Sequence, residues 1–337
     1  MTGSRLLARV LVPALALALL AAACGGGGEG ERGDEDLPLV VTTVSPITNI
    51  VQNVAGNEVR TVGIVPEGTN SHTFEPAPSD ARVLADADIV FLNGLHLEEP
   101  TMELTEANVR EGVPVVALGD RTLAPGEEIY DFSFPEAAGD PNPHLWTNPT
   151  YALRYAEIVA EELSRLVPDS AFIFEGNLAV FRSRIEQLDE EIRRATASVP
   201  EQDRVLLTYH DSFPYFAREY GWTVIGAVQP ADFSEPTPRE VAALIDQVRE
   251  LDVPAIFGSE VFPSPVLQQI ADETGADYVD DLRDDDLPGE PGDPDHSYLA
   301  LMVFDLRTIV GALGGDPSPF DELDATDAAP GDTTTYA

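Results

Sequence analysis

Lysine is absent from these 337 residues. All 19 basic side chains are arginine, set against 60 aspartates and glutamates, for a formal net charge of −41. A field of that sign repels a phosphate backbone, so nucleic acid is excluded as a partner. It draws cations and favours solubility, at the cost of a self-repulsion that salt screens. Cysteine is nearly absent too: Cys24 stands alone, so no internal disulfide staples the fold. A core must hold the chain together, and roughly 300 residues are ample for one. Residues 10–23 form an apolar run that falls short of the about 20 residues a membrane-spanning helix needs. Neither HExxH nor CxxC occurs, which removes the short metal and redox motifs. No serine or cysteine nucleophile motif is present either.

What is there begins at the N-terminus. Arg5 and Arg9 precede the apolar run, small residues end it, and Cys24 follows at once. This is the layout of a secretory signal peptide over 1–23. Ala21-Ala22-Ala23-Cys24 resembles a bacterial lipoprotein signal, which implies a lipid on Cys24 and a chain anchored outside the cytoplasm. Losing 1–23 removes two arginines and no acid, taking the net charge from −41 to −43. Residues 24–37 are Gly-rich and charged, the composition of a flexible tether.

The body alternates strand and helix patterns, which predicts an α/β fold of two lobes, each a mostly parallel sheet flanked by helices. In the N-terminal lobe, 38–168, strands are expected at 37–44, 58–65, 87–94 and 113–119, with helices at 46–54, 79–87 and 151–166. One long helix, about 170–197 within a connecting segment 169–200, carries apolar residues at Phe172, Phe174, Leu178, Phe181, Ile185, Leu188 and Ile192. At 1.5 Å per residue it would run about 40 Å, enough to join the lobes. The C-terminal lobe, 201–314, repeats the pattern with strands at 204–210, 222–228, 254–260 and 276–282 and helices at 238–251, 263–274 and 298–313. Residues 315–337 are acidic and rich in Pro and Thr, and are expected to be disordered.

Of five histidines, three occupy similar settings. His72 follows the second strand, His144 precedes a helix, and His210 ends a strand. Ligands of open α/β sheets gather at the carboxyl ends of strands, where Asp280 also falls. The wide spacing alone is a weak signal. The words around it are specific: GTNSHTFEPAPSDARVLADADIVFLNGLHLE, DPNPHLWTNPTYA, LLTYHDSFPYFAREYGW, and ADYVDDL followed by SYLALMVFDLRTIVGAL. Over about residues 38–314 these resemble the zinc/manganese solute-binding proteins of ABC importers, the ZnuA/TroA/PsaA group. The resemblance implies metal ligands His72, His144, His210 and Asp280, two from each lobe, in an inter-lobe cleft. It implies partners as well: a membrane permease with its cytoplasmic ATPase, served by a monomeric binding protein that is not an enzyme.

Three imidazoles and a carboxylate suit a divalent first-row ion. His210 as third ligand favours zinc over manganese. The stretch 120–143, where many zinc members carry histidines, has none. His96 reads as a rim residue and His296 as part of an acidic loop. Glu260, ending a strand, is a candidate to orient a ligand histidine, while Trp146 and Phe213 read as packing. Two other functions remain open: a binding protein of this architecture for a metal chelate or another solute, and a zinc hydrolase using the three histidines to activate water.

Overall fold

The computed structural model describes residues 37–229, 236–259, 264–283, 285–329, 331 and 334–337. The signal, tether and Cys24 readings, and Glu260, lie outside the described residues.

The elements run β1 (Leu39–Thr42), α1 (Ser45–Ala55), β2 (Arg60–Gly63), α2 (Asp80–Asp86), β3 (Ile89–Leu92), α3 (Glu99–Asn108), β4 (Val115–Ala117), α4 (Leu118–Thr122), α5 (Pro149–Leu166) and α6 (Ala171–Ser198). Then follow β5 (Val205–Thr208), α7 (Pro214–Tyr220), β6 (Thr223–Ala227), α8 (Pro238–Leu251), β7 (Ala255–Ser259), α9 (Pro265–Thr274), β8 (Asp277–Leu282), α10 (Tyr298–Ala312) and β9 (Thr335–Tyr336). The N-terminal sheet is wholly parallel in the order β4-β3-β1-β2-β9. β1 and β3 are buried at every position, as befits parallel strands covered on both faces. In the C-terminal lobe β5 pairs with β6 and β7 with β8, again in parallel.

Helix starts follow local chemistry. Asn148 caps α5 by accepting from the Thr150 amide, with Pro149 at the first turn. Thr237 and Glu240 form a reciprocal capping box on α8, satisfying amides that the helix itself leaves open. α6 buries Phe174, Phe181, Ile185, Leu188, Ile192 and Ala195 along one stripe. The 28-residue helix is about 42 Å long. It touches α1 and α5 of the first lobe and α7 and α10 of the second, so it serves both. Phe172, expected on the stripe, is 72% exposed: two residues from Phe174, it lies on the far side of a 3.6-residue turn.

The segment from 315 onward corrects an expectation. Where it is described it lies against the body. Phe320 and Ala329 are buried, the Asp324 and Asp321 carboxylates pair with Arg184 and Arg307, and Asp327 accepts from Asn49 and Asn53. β9 adds a strand beside β2, where the Tyr336 ring covers Gly63 so closely that any Cβ there would collide with it. Composition read this stretch as disordered because its acids outnumber its apolar residues. The few apolar residues find a surface, and three of the acids find donors. Truncation after residue 315 is expected to lower the melting temperature by several degrees, since each 1 kcal/mol shifts a domain of this size by about 2 °C. A calorimetric scan checks it.

At the carboxyl ends of β1 and β3 lies a buried acid. Glu98 accepts from the Asn93 amide (2.6 Å) and the Thr43 hydroxyl (3.0 Å), yet burial outweighs these bonds and pushes its pKa up to about 7. The folded carboxyl stays protonated at pH values where the unfolded one, near 4.5, has ionised. Its contribution to stability is therefore whole below about 4.5 and falls as pH rises to about 7, by roughly 1.4 kcal/mol per unit at most. Glu98→Gln keeps the acceptor oxygen and removes the titration. Urea denaturation of the two proteins from pH 4 to 8 should give a difference curve that favours the variant increasingly through pH 4.5–7 and then levels.

Candidate metal centre

His72 sits in the loop after β2, set by an Asx turn in which Asn70 Oδ1 accepts from the amides of His72 (3.0 Å) and Thr73 (3.2 Å). The loop is tied to the segment after β8: Gly68 N donates to Asp286 (2.9 Å) and the Ser71 hydroxyl to Asp285 Oδ2 (3.2 Å). His144 is fully buried. Its amide and its Nδ1 both reach Asn142 Oδ1, at 3.1 and 2.9 Å. The acceptor oxygen places the ring proton on Nδ1 and leaves the Nε2 lone pair free. The amide nitrogen of Asn142 donates to the Asp211 carbonyl (2.8 Å), which positions the turn carrying His210.

The three rings converge. His72 Nε2 and His144 Nε2 are 3.0 Å apart. One nitrogen from each of His72, His144 and His210 lies within 4.8 Å of the others. Two nitrogens about 2.1 Å from one tetrahedral ion stand roughly 3.4 Å apart, so this spacing is that of ligands about a common point. His210 is 7% exposed and His72 only partly accessible. Phe134 lies against the His72 and His144 rings, and Trp146 against His144 (centroids 5.2 Å). Burial first, then the neighbouring imidazoles, hold the His72 and His144 pKa values well below the ordinary 6.5. Both rings are neutral at physiological pH, the state a metal requires.

Asp280 does not join them. It lies exposed on β8, where the β7–β8 register shifts between Phe257 and Ser259. The next strand positions are displaced by one residue, and the acid that stands beside His210 comes from further along. Asp285 Oδ2 stands 3.8 Å from His210 Nε2. Sequence reasoning missed Asp285, since the run DDLRDDD offers five acids and no pattern to choose between them. His96 and His296 stand apart from the cluster. His96 contacts Glu99 and Asp140, and His296 contacts Glu67 and the Pro288 carbonyl.

Fold and cluster together define a class: an α/β protein of two parallel-stranded halves served by one long helix, with three imidazoles converging on a common point. Residues 40–312 match the family described as the periplasmic component A of the zinc-uptake complex, and the chain belongs to that family. It is 28% identical over 300 residues to the manganese-binding lipoprotein MntA of Halalkalibacterium halodurans, covering 89% of this chain and 96% of that protein. It is 30% identical to the iron-binding protein YfeA of Yersinia pestis, over 82% of this chain and 86% of that one. The solved structure of the periplasmic zinc-binding protein TroA of Treponema pallidum superposes with a TM-score of 0.75 at 28% identity, covering 82% of this chain and 99% of that one.

Asn142→Ala unties the His144 ring. Loss of such an orienting partner typically weakens a metal site about ten- to a hundredfold. Competition against a chelating dye measures it, and a melting curve of the metal-free variant separates this effect from loss of fold.

Proposed function

We propose that this chain is the extracytoplasmic solute-binding subunit of a metal-ion ABC importer. It captures one divalent first-row ion between His72 and His144 of one lobe and His210 and an acid of the 280–286 run of the other. Among the described residues of that run, Asp285 is the acid that contacts the cluster, 3.8 Å from His210. The observation that carries this reading is the convergence of three imidazole nitrogens within 4.8 Å, two of them on rings held neutral by burial. Family membership supplies the transport context, and the relatives' names span manganese, iron and zinc. Among these, zinc is favoured over manganese, because three nitrogen donors suit the softer ion. The ion is cargo. Asp285 beside His210 is the acid that would occupy the position a hydrolytic zinc keeps open for water. A lipid on Cys24 anchors the monomer near its permease and ATPase.

Elemental analysis of purified protein, followed by zinc–manganese competition, tests the reading. One tightly held equivalent, zinc preferred, is expected. His144→Ala should lower affinity at least a hundredfold, and His210→Glu should move the preference towards manganese. Asp285→Asn should weaken binding more than Asp280→Asn; the reverse order would return the fourth ligand to Asp280. A protein that retains no ion, with wild-type behaviour in His144→Ala, would sink the proposal.

A further inference from the structure

Separate ties join the loop that carries His72 to the segment between β8 and α10. Gly68 N donates to Asp286 Oδ2 (2.9 Å) and the Ser71 hydroxyl to Asp285 Oδ2 (3.2 Å). A further tie is made by side chains alone: His296 Nε2 stands 3.3 Å from Glu67 Oε1. The His296 side chain is 5% exposed and that of Glu67 23%, so salt screens this pair far less than a surface one. The other ring nitrogen, Nδ1, lies 3.1 Å from the Pro288 carbonyl. An acceptor thus faces each nitrogen, and only a ring protonated on both can donate to both. Glu67 Oε1 takes a second donor, the Tyr336 hydroxyl (3.4 Å).

The two partners are held differently. His296 adjoins Ser297, which caps α10 by accepting from the Ala300 amide. The next amide, of Tyr298, donates to Asn49 Oδ1 on α1 (2.8 Å). The imidazole is therefore built on the junction of two helices. Glu67 belongs to residues 64–79, between β2 and α2, which contain no helix or strand. Contacts of this kind, rather than a backbone ladder, set where that stretch lies. His72 follows Glu67 by five residues, and Asp285 stands on the facing segment. An ion shared by His72 and Asp285 spans the same boundary that the pair closes. We infer that His296 is a positioning residue for cargo retention: its charge-assisted bond to Glu67 latches the His72 loop against the Asp285 segment and slows the escape of a bound ion. The latch touches no ion. It opposes withdrawal of the loop, so it acts on residence and not on encounter. The effect on release rests on the reading of the three-histidine cluster given above; the tie itself does not.

Zinc loss is followed by mixing loaded protein with excess chelator, and zinc capture by stopped flow. Glu67→Ala alters a partly exposed position and is expected to raise the dissociation rate about tenfold, the worth of one charge-assisted hydrogen bond, with association no slower. His296→Phe keeps a ring in the buried position and removes both donors; it should speed loss to a similar extent. Combining the two should add little, because they remove one shared interaction. Glu75→Ala deletes an exposed acid of the same loop and should leave the rate near that of the unaltered protein, which separates a latch from a general loss of negative charge. Unaltered dissociation in Glu67→Ala, equal acceleration in Glu75→Ala, or full additivity in the double variant would overturn the inference. If the unaltered protein holds no zinc, the function proposed above fails instead. The latch is then read in the metal-free chain by hydrogen exchange over residues 66–73: faster exchange in Glu67→Ala upholds the tie, and equal exchange refutes it.

Discussion

The site depends on a buried stitch between the segments 142–148 and 210–215. Asn142 donates across to the Asp211 carbonyl, the Tyr215 hydroxyl donates back to the Asn142 carbonyl (3.0 Å), and Thr147 Oγ1 lies 2.8 Å from the Ser212 carbonyl. Tyr215 Oη also accepts from the Ile129 amide, so one phenol serves both directions. Each such bond contributes about 1 kcal/mol net, but a buried partner left unmade costs about 1–3. The stitch therefore holds together or fails together. Because it contains the residue that anchors His144 and the two that follow His210, these side-chain-to-backbone bonds hold the turns that carry the two rings beside each other.

The same linkage bears on motion. α6 touches helices of both lobes. α10 adds a second crossing, where the Tyr298 amide donates to Asn49 Oδ1 and its hydroxyl to the Trp146 carbonyl. A wide hinge would have to break these buried contacts in concert. The pieces at the site are smaller: the His72 loop, tied to the 285–286 segment by Gly68 and Ser71, and the Asp285 carboxylate that accepts from Ser71. Ion capture then asks for shifts of a few side chains and one loop, the regime of small shear rather than domain opening.

Much of this was legible in the sequence, and the failures have physical causes. The buried strands and the amphipathic α5 and α6 announce themselves by period, and the words around His72, His144 and His210 carry those residues. α3 was missed because it buries Thr101 and Thr105, which no hydrophobic period reveals. The seven-residue α7 is too short to show a period at all. Asp280 is the instructive case. A one-residue bulge is invisible in a sequence, yet along a strand it reverses which side chain faces the cleft. Only pairing with β7 fixes it. The tail fails for a related reason: its acids are read as solvated until Arg184, Arg307, Asn49 and Asn53 are seen waiting for three of them.

The overall charge and the site act on different terms. Sixty acids concentrate every cation near the surface, and hydrated carboxylates favour hard ions such as calcium and magnesium. The cluster inverts that preference. Its donors are imidazoles, two of them held neutral by burial, beside Phe134 and Trp146, and an ion entering must exchange water for nitrogen. Magnesium and calcium give up oxygen ligands reluctantly, whereas zinc gains from the exchange. A single carboxylate suffices to offset part of the charge without making the site hard. On the proposed reading the acidic surface raises the local supply of all divalent ions, and the nitrogen donors of the cluster set which of them is preferred.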